Sequence, residues 1–186
     1  LATVNVKQTQ SDKEGTKTFR VPTVIDFQAD GGKAIPFKVE ITEREHTFVF
    51  PLEAKPSMCR FDPGNRTLKQ LKFKKPVREL VYQLRNDDDI AGRVSAANSL
   101  GKQSSKEAID ALEFAVTGDR FWGVQAAAAK ALGTARTEQA RDALLRCVDV
   151  KHLKTKRAVA AALGEFRGDE AVFESLKPLA RRGRSY

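Results

Sequence analysis

Arg93-Val94-Ser95-Ala96-Ala97-Asn98-Ser99-Leu100-Gly101 is an Ala-rich run closed by Leu-Gly, and the same ending returns at Leu132-Gly133 and Leu163-Gly164, 32 and 31 residues on. Ala126-Ala127-Ala128-Ala129 precedes the second ending and Ala158-Val159-Ala160-Ala161-Ala162 the third. A second frame agrees: Leu80, Leu112, Leu144 and Leu176 are each 32 apart, with Leu84, Val116, Val148 and Ala180 four residues later. A third frame, Ile90, Trp122 and Leu153, puts those three residues in the predicted core. A fixed period of this size marks stacked supersecondary units, because one unit cannot bury its own apolar face.

Each unit reads as a helical hairpin. The first helix carries apolar residues at helical spacing, as in Ala108, Leu112, Ala115 and Val116. The second is thick with Ala, which lets neighbouring helices approach closely. The Leu-Gly glycines are expected to be left-handed C-terminal caps. Units are predicted to start near Val77, Glu107, Glu138 and Asp169. The fourth carries Phe173, Leu176 and Leu179 in its first helix, with Pro178 marking a kink or an early end. No second helix follows, so this end is expected to expose apolar surface and to fray or self-associate.

Upstream of Pro76 the pattern changes to period 2. Predicted strands are residues 3–8, 19–27, 35–41, 46–50, 58–62 and 68–73. Pro22 places its strand at an edge or a bulge. Asp30-Gly31-Gly32 and Pro63-Gly64-Asn65 are turn signals, and Asn65-Arg66-Thr67 reads as turn chemistry rather than a glycosylation acceptor. Short alternating strands between turns predict a small antiparallel β-sandwich. The expected architecture is therefore two-domain β + α: residues 1–75 a β-sandwich, residues 76–186 an α-helical repeat solenoid of about three and a half helix pairs.

The 186 residues contain 41% hydrophobic and 31% charged residues, an ordinary soluble balance. No apolar run reaches the length of a membrane span, and no secretory leader opens the chain, so a cytoplasmic location is expected. Leu1 opens directly on a strand pattern, which reads as a piece of a longer protein. Cys59 and Cys147 are expected to be buried and unpaired. His46 and His152 are the two histidines, without an H-E-x-x-H, so the chain holds no zinc-hydrolase centre, and His46 reads as a surface residue. No catalytic, cofactor-binding or metal-ligating residue is expected.

The net charge of +9 is shared, +5 on residues 1–75 and +4 on residues 76–186. Such a balance permits an anionic or acidic-protein partner without requiring one. The densest basic run, Lys151-His152-Leu153-Lys154-Thr155-Lys156-Arg157, falls between helices and reads as a solvated loop. Lys151, Lys154, Lys156 and Arg157 are the candidate partner-binding residues, by contact with an anion or phosphate backbone. Arg181-Arg182-Gly183-Arg184 is a similar run at the end of the chain. Asp87-Asp88-Asp89 precedes a predicted helix, where acids suit the helix N-terminus better than a metal.

The R-x-x-A-A…L-G pattern at Arg93, Ala96-Ala97 and Leu100-Gly101 resembles HEAT-type repeats of the short bacterial kind. Glu43–Leu52, then Pro56–Asn65, then Leu68-Lys69, followed by the repeats, is similar to the sandwich of aminopeptidase N-like zinc metallopeptidases (the gluzincin aminopeptidases). The resemblance implies a non-catalytic C-terminal region that scaffolds an upstream catalytic domain and limits access to it. Zinc and peptide substrate would then belong to that upstream domain of the same parent chain. The family's zinc ligands, general-base Glu and G-x-M-E-N strand have no matching positions here. The alternative is a HEAT-repeat interaction module binding a protein or anionic partner, with nucleic acid not the expected partner and no membrane involved.

Overall fold

The alternating residues 1–61 form five strands: β1 Ala2–Lys7, β2 Val21–Gln28, β3 Ile35–Ile41, β4 Glu45–Phe50 and β5 Met58–Phe61. The computed structural model describes residues 1–11, 15 and 17–182, the last three by backbone alone. Arg184, Ser185 and Tyr186, and the side chains of Ala180, Arg181 and Arg182, lie outside the described residues.

The strands make two antiparallel sheets, β1–β4 and β3–β2–β5. Their inner faces meet through aromatic rings: Phe50 lies 5.1 Å from Phe27 and 4.9 Å from Phe37 between ring centroids. This is the expected sandwich, with Ile25, Phe27, Ile41 and Phe50 buried. Pro22 sits where β2 lacks a second neighbour. The Asp62 amide donates to Val24 O at 2.8 Å and the Ser57 amide to Gln28 O, so even-numbered residues of β2 turn toward β5. β5 pairs only with residues 25–28, so the N–H that Pro22 lacks is not needed.

Two strand-region expectations are corrected. Leu68–Phe73 is no strand: Leu68 and Leu71 are exposed, and Lys69 turns back to Asp62 and Asn65. Apolar spacing there supplies no partner strand, and a lone strand leaves its backbone unpaired. His46 is no surface residue: alternation puts it on the inner face of β4, half-buried and stacked 4.1 Å from Phe48.

Asp62 anchors the turn after β5. It takes φ 54, and its carboxylate accepts from the Thr67 amide at 2.8 Å, the Arg66 amide at 3.2 Å and the Lys69 ammonium. Burial pushes this carboxyl upward, but the Lys69, Thr67 and Arg66 hydrogen bonds outweigh it and hold it below its ordinary value. A depressed native value stabilises the fold above the unfolded carboxylate range and loses that contribution as pH falls through the native value. Asp62→Asn, which tolerates the same φ, is therefore expected to weaken amide-exchange protection in β2 and β5 by about 1–2 kcal/mol at pH 7. That difference should shrink on acidification below about pH 4, and an undiminished one would contradict the assignment.

The remaining chain folds into seven helices among the described residues: α1 Val77–Asn86, α2 Ile90–Leu100, α3 Lys106–Gly118, α4 Trp122–Ala135, α5 Glu138–Arg146, α6 Leu153–Leu163 and α7 Glu170–Arg182. The chain forms two compact units, Leu1–Lys72 and a second from Phe73 onward. In the second unit α1, α3 and α5 form one layer and α2, α4 and α6 the other. The Leu80–Leu112–Leu144 frame lies in a continuous core with Leu84, Val116 and Val172. α7 runs on through Pro178. Cys59 and Cys147 are free and buried in separate units, and burial pushes the Cys147 thiol up to about 11.

The third frame does not reach the core. Ile90, Trp122 and Leu153 each open their helix; Ile90 and Leu153 are exposed and Trp122 is half-buried. Phe121, one residue earlier, is the ring packed on the core. First-turn positions share the period of core positions because everything in a repeat does.

The Leu-Gly glycines are also corrected. Gly101 and Gly164 are right-handed at φ −61, and Gly133 lies inside α4, whose left-handed cap is Arg136. What two of them supply is room. A Cβ on Gly101 would stand 2.8 Å from Cα and O of Ala131, and one on Gly133 about 3.0 Å from Cβ of Ala162. Each glycine thus receives the alanine backbone of the next helix in its layer. A Cβ on Gly164 would meet carbonyls of its own helix, Ala161 O at 3.2 Å and Ala160 O at 3.8 Å.

Candidate functional site

Alanines that seat α4 against α6 also leave a groove between them. It holds about 690 Å³ and is lined by Ala126, Ala127, Lys130 and Thr134 of α4, Ala158, Ala161 and Ala162 of α6, and Arg136 and Glu165 beyond the helix ends. Small side chains on both walls keep it open, and packing of Ala162 on Gly133 sets its floor. At one end the Arg136 guanidinium pairs with Glu165 at 2.6 Å.

At the other end stands Trp122, one turn before Ala126. The His152 ring lies parallel to it, 2° between planes and 5.8 Å between centroids. The Lys154 ammonium sits over the indole at 4.2 Å. Lys154 is one turn before Ala158, and Arg157 one turn before Ala161, so both stand on the groove's side of α6. Lys156 falls about 160° round the helix from Lys154 and does not join them. Lys151 is exposed in the turn before α6. The basic run is therefore not a loop: three of its four cations belong to the first turns of α6.

Among the described residues α1, α4 and α6 start without a capping side-chain bond, and of these only α1 has an acid, Glu79, in its first turn. α3, α5 and α7 are capped by Ser105, Thr137 and Asp169, and α2 by Asp89. Phe121 and His152, which precede α4 and α6, make no capping side-chain bond, and neither first turn contains an acid. The positive ends of two adjacent helices thus lack side-chain caps beside Lys154 and Arg157.

A second cavity, of about 350 Å³, lies at the turns of the first two units. Its polar groups serve each other. Arg93, 2% exposed, donates from Nη1 to Asp87 O and Asp88 O, and from Nε and Nη2 to the Asp119 carboxylate at 2.9 and 3.2 Å. At the next turn Gln125 repeats the arrangement, donating to Asp119 O at 2.7 Å while Thr155 donates to its Oε1 at 2.6 Å. This polar ladder ties unit to unit. Within the Asp triplet, Asp89 caps α2 at the Ala91 amide, and Asp87 accepts from Gln83 and the Asp89 amide. Among the described residues no group of three His, Cys, Asp or Glu side chains is placed to hold a metal ion. Among the described residues no helix is long and apolar enough to cross a membrane.

The sequence reading missed the ladder, although Arg93 and Gln125 share the 32-residue spacing. It also missed that Trp122 and Lys154 meet. The visible signal was the same: 32 residues bring one helix start beside the next. Among known families, the one described as HEAT repeats matches residues 77–153 and 114–185, more than half of the chain. No curated protein matches it.

Proposed function

The chain belongs to the HEAT-repeat family, and from that premise we propose that its helical unit is a protein-interaction module presenting the α4–α6 groove. HEAT repeats generally mediate protein–protein interaction, and stacked repeats offer elongated binding faces. The observation that carries the reading is the groove itself, open and walled largely by alanine, with Lys154 and Arg157 of the candidate set one turn before its lining residues Ala158 and Ala161 on α6. Lys151 is exposed in the turn before α6, and Lys156 does not line the groove.

Random peptides selected on the immobilised full chain test this reading. Binders are expected to weaken about tenfold or more on Ala161→Arg and on Thr134→Arg, both at exposed groove positions, with helix content unchanged. Binders indifferent to both variants would overturn it.

The order of the two units supports a second reading, the C-terminal part of an aminopeptidase N-like metallopeptidase. On it, this chain scaffolds an upstream catalytic domain, which holds the zinc and takes the peptide substrate. No residue here has a catalytic part. Chelator-sensitive hydrolysis of an aminoacyl anilide by the pure 186-residue chain would contradict that.

A further inference from the structure

The charge along the α4–α6 groove names a class of partner, an inference that rests on the groove being the presented face. We propose that the groove takes an acidic segment of a protein, its carboxylates held by Lys154 and Arg157 beside Trp122 and its apolar side laid on the alanines.

The cations here are uncommitted, as are Lys130 within the groove and several others of the helical unit. Elsewhere on the helices Arg93, Arg120, Arg136, Arg141 and Arg146 each meet a carboxylate of the chain. Among the described residues, neither Lys154 nor Arg157 is within ion-pair distance of one. Their placement is asymmetric. Both lie at the Trp122 end, while the far end is closed by the Arg136–Glu165 pair. Lys154 is also held in place: its ammonium rests on the indole, so less side-chain freedom is lost on meeting a carboxylate.

A protein suits the groove better than a nucleic acid. Single-stranded nucleic acid binds by stacking its bases on free aromatic faces. The Trp122 ring already carries His152 and Lys154, Phe121 is packed on the core, and the rest of the lining is largely alanine. Alanine walls fit apolar side chains, and the cations at one end fit carboxylates there.

Trp122 is the single tryptophan of the chain, so its emission reports on this site. The test titrates the full chain at about 0.1 M salt. The probes are a peptide with a Glu/Asp block followed by an Ala/Leu stretch, its Gln/Asn counterpart, a Lys-block counterpart and oligouridylate. The acidic peptide is expected to shift Trp122 emission and bind at least about tenfold more tightly than the Gln/Asn form. Lys154→Glu/Arg157→Glu is expected to lose the acidic peptide and gain the Lys-block one, an exchange that misfolding cannot produce. Equal binding of acidic and amide peptides, tighter binding of oligouridylate, or no exchange by the double variant would overturn the proposal. Amide-peptide binding that still falls with Ala161→Arg would leave the groove standing and remove only the acidic partner. Acidic-peptide binding that is indifferent to Ala161→Arg would remove the groove.

Discussion

Gly101→Ala is expected to destabilise the helical unit by about 2–4 kcal/mol, and Gly164→Ala to change it by less than about 1 kcal/mol, although both replace the glycine of a Leu-Gly pair. Both glycines are right-handed, so the backbone itself tolerates alanine at either position. The difference lies in what the new methyl meets. At Gly101 it stands 2.8 Å from Cα and O of Ala131. Those are backbone atoms in the middle of α4, so α2 and α4 must move apart. Separation costs contacts along the whole α2–α4 seam, including those of Ala97 and Leu100, both fully buried. At Gly164 the methyl meets two carbonyls of its own helix, Ala161 O at 3.2 Å and Ala160 O at 3.8 Å, and no neighbouring helix. Gly133→Ala should fall between, with Ala162 at 3.0–3.1 Å. Urea unfolding followed by Trp122 emission measures all three. Equal losses at the three positions would contradict the close-approach reading of Gly101 and Gly133.

Arg93→Met should cost about 3–5 kcal/mol, the largest loss expected from one polar side chain in the helical unit. Arg93 and Asp119 are buried together, their side chains 3% and 7% exposed. Removing the guanidinium leaves a carboxylate in the interior that, among the described residues, meets only the Phe121 amide, at 2.8 Å. It also takes the donor from the carbonyls of Asp87 and Asp88 at the turn before α2. Asp119→Asn in the Arg93→Met background removes that unpaired charge and should recover part of the loss, giving a coupling of about 1–3 kcal/mol. Strict additivity of the two substitutions would contradict the pairing. The packed seam and the polar turn act at different places, so their effects should add when Gly101→Ala and Arg93→Met are combined only to the extent that α2 keeps its position.

Much of this architecture was legible in the residues. The 32-residue spacing of Leu80, Leu112 and Leu144 located the core, because a buried leucine recurs wherever a helical hairpin recurs. The alternation in residues 35–41 gave β3 its full extent. Periodicity failed where it says nothing about direction. Trp122 keeps the period of Ile90 and Leu153, yet all three open a helix, and the start of a helix faces its turn rather than the core. The Leu-Gly glycines misled for a related reason: a left-handed cap and a close helix contact select the same residue. Leu68–Phe73 shows the limit of local pattern, since a strand needs a neighbour that no local spacing supplies.

Of the candidate site, the sequence held the basic run but neither its form nor its company. Lys154 and Lys156 are two residues apart and look equivalent in a loop. On α6 they take different sides, and only Lys154 rests on Trp122. The alanines suggested close packing, which is correct at Gly133; that they also wall an open groove depends on how far α4 and α6 diverge at the surface.

The most direct test of the account is amide chemical-shift mapping on the full chain with a selected peptide bound. The account predicts that the largest shifts fall on Trp122, Ala126, Lys130, Lys154, Ala158 and Ala161. Shifts confined to α1, α3 and α5 or to residues 1–72, with the α4–α6 face unmoved, would contradict it.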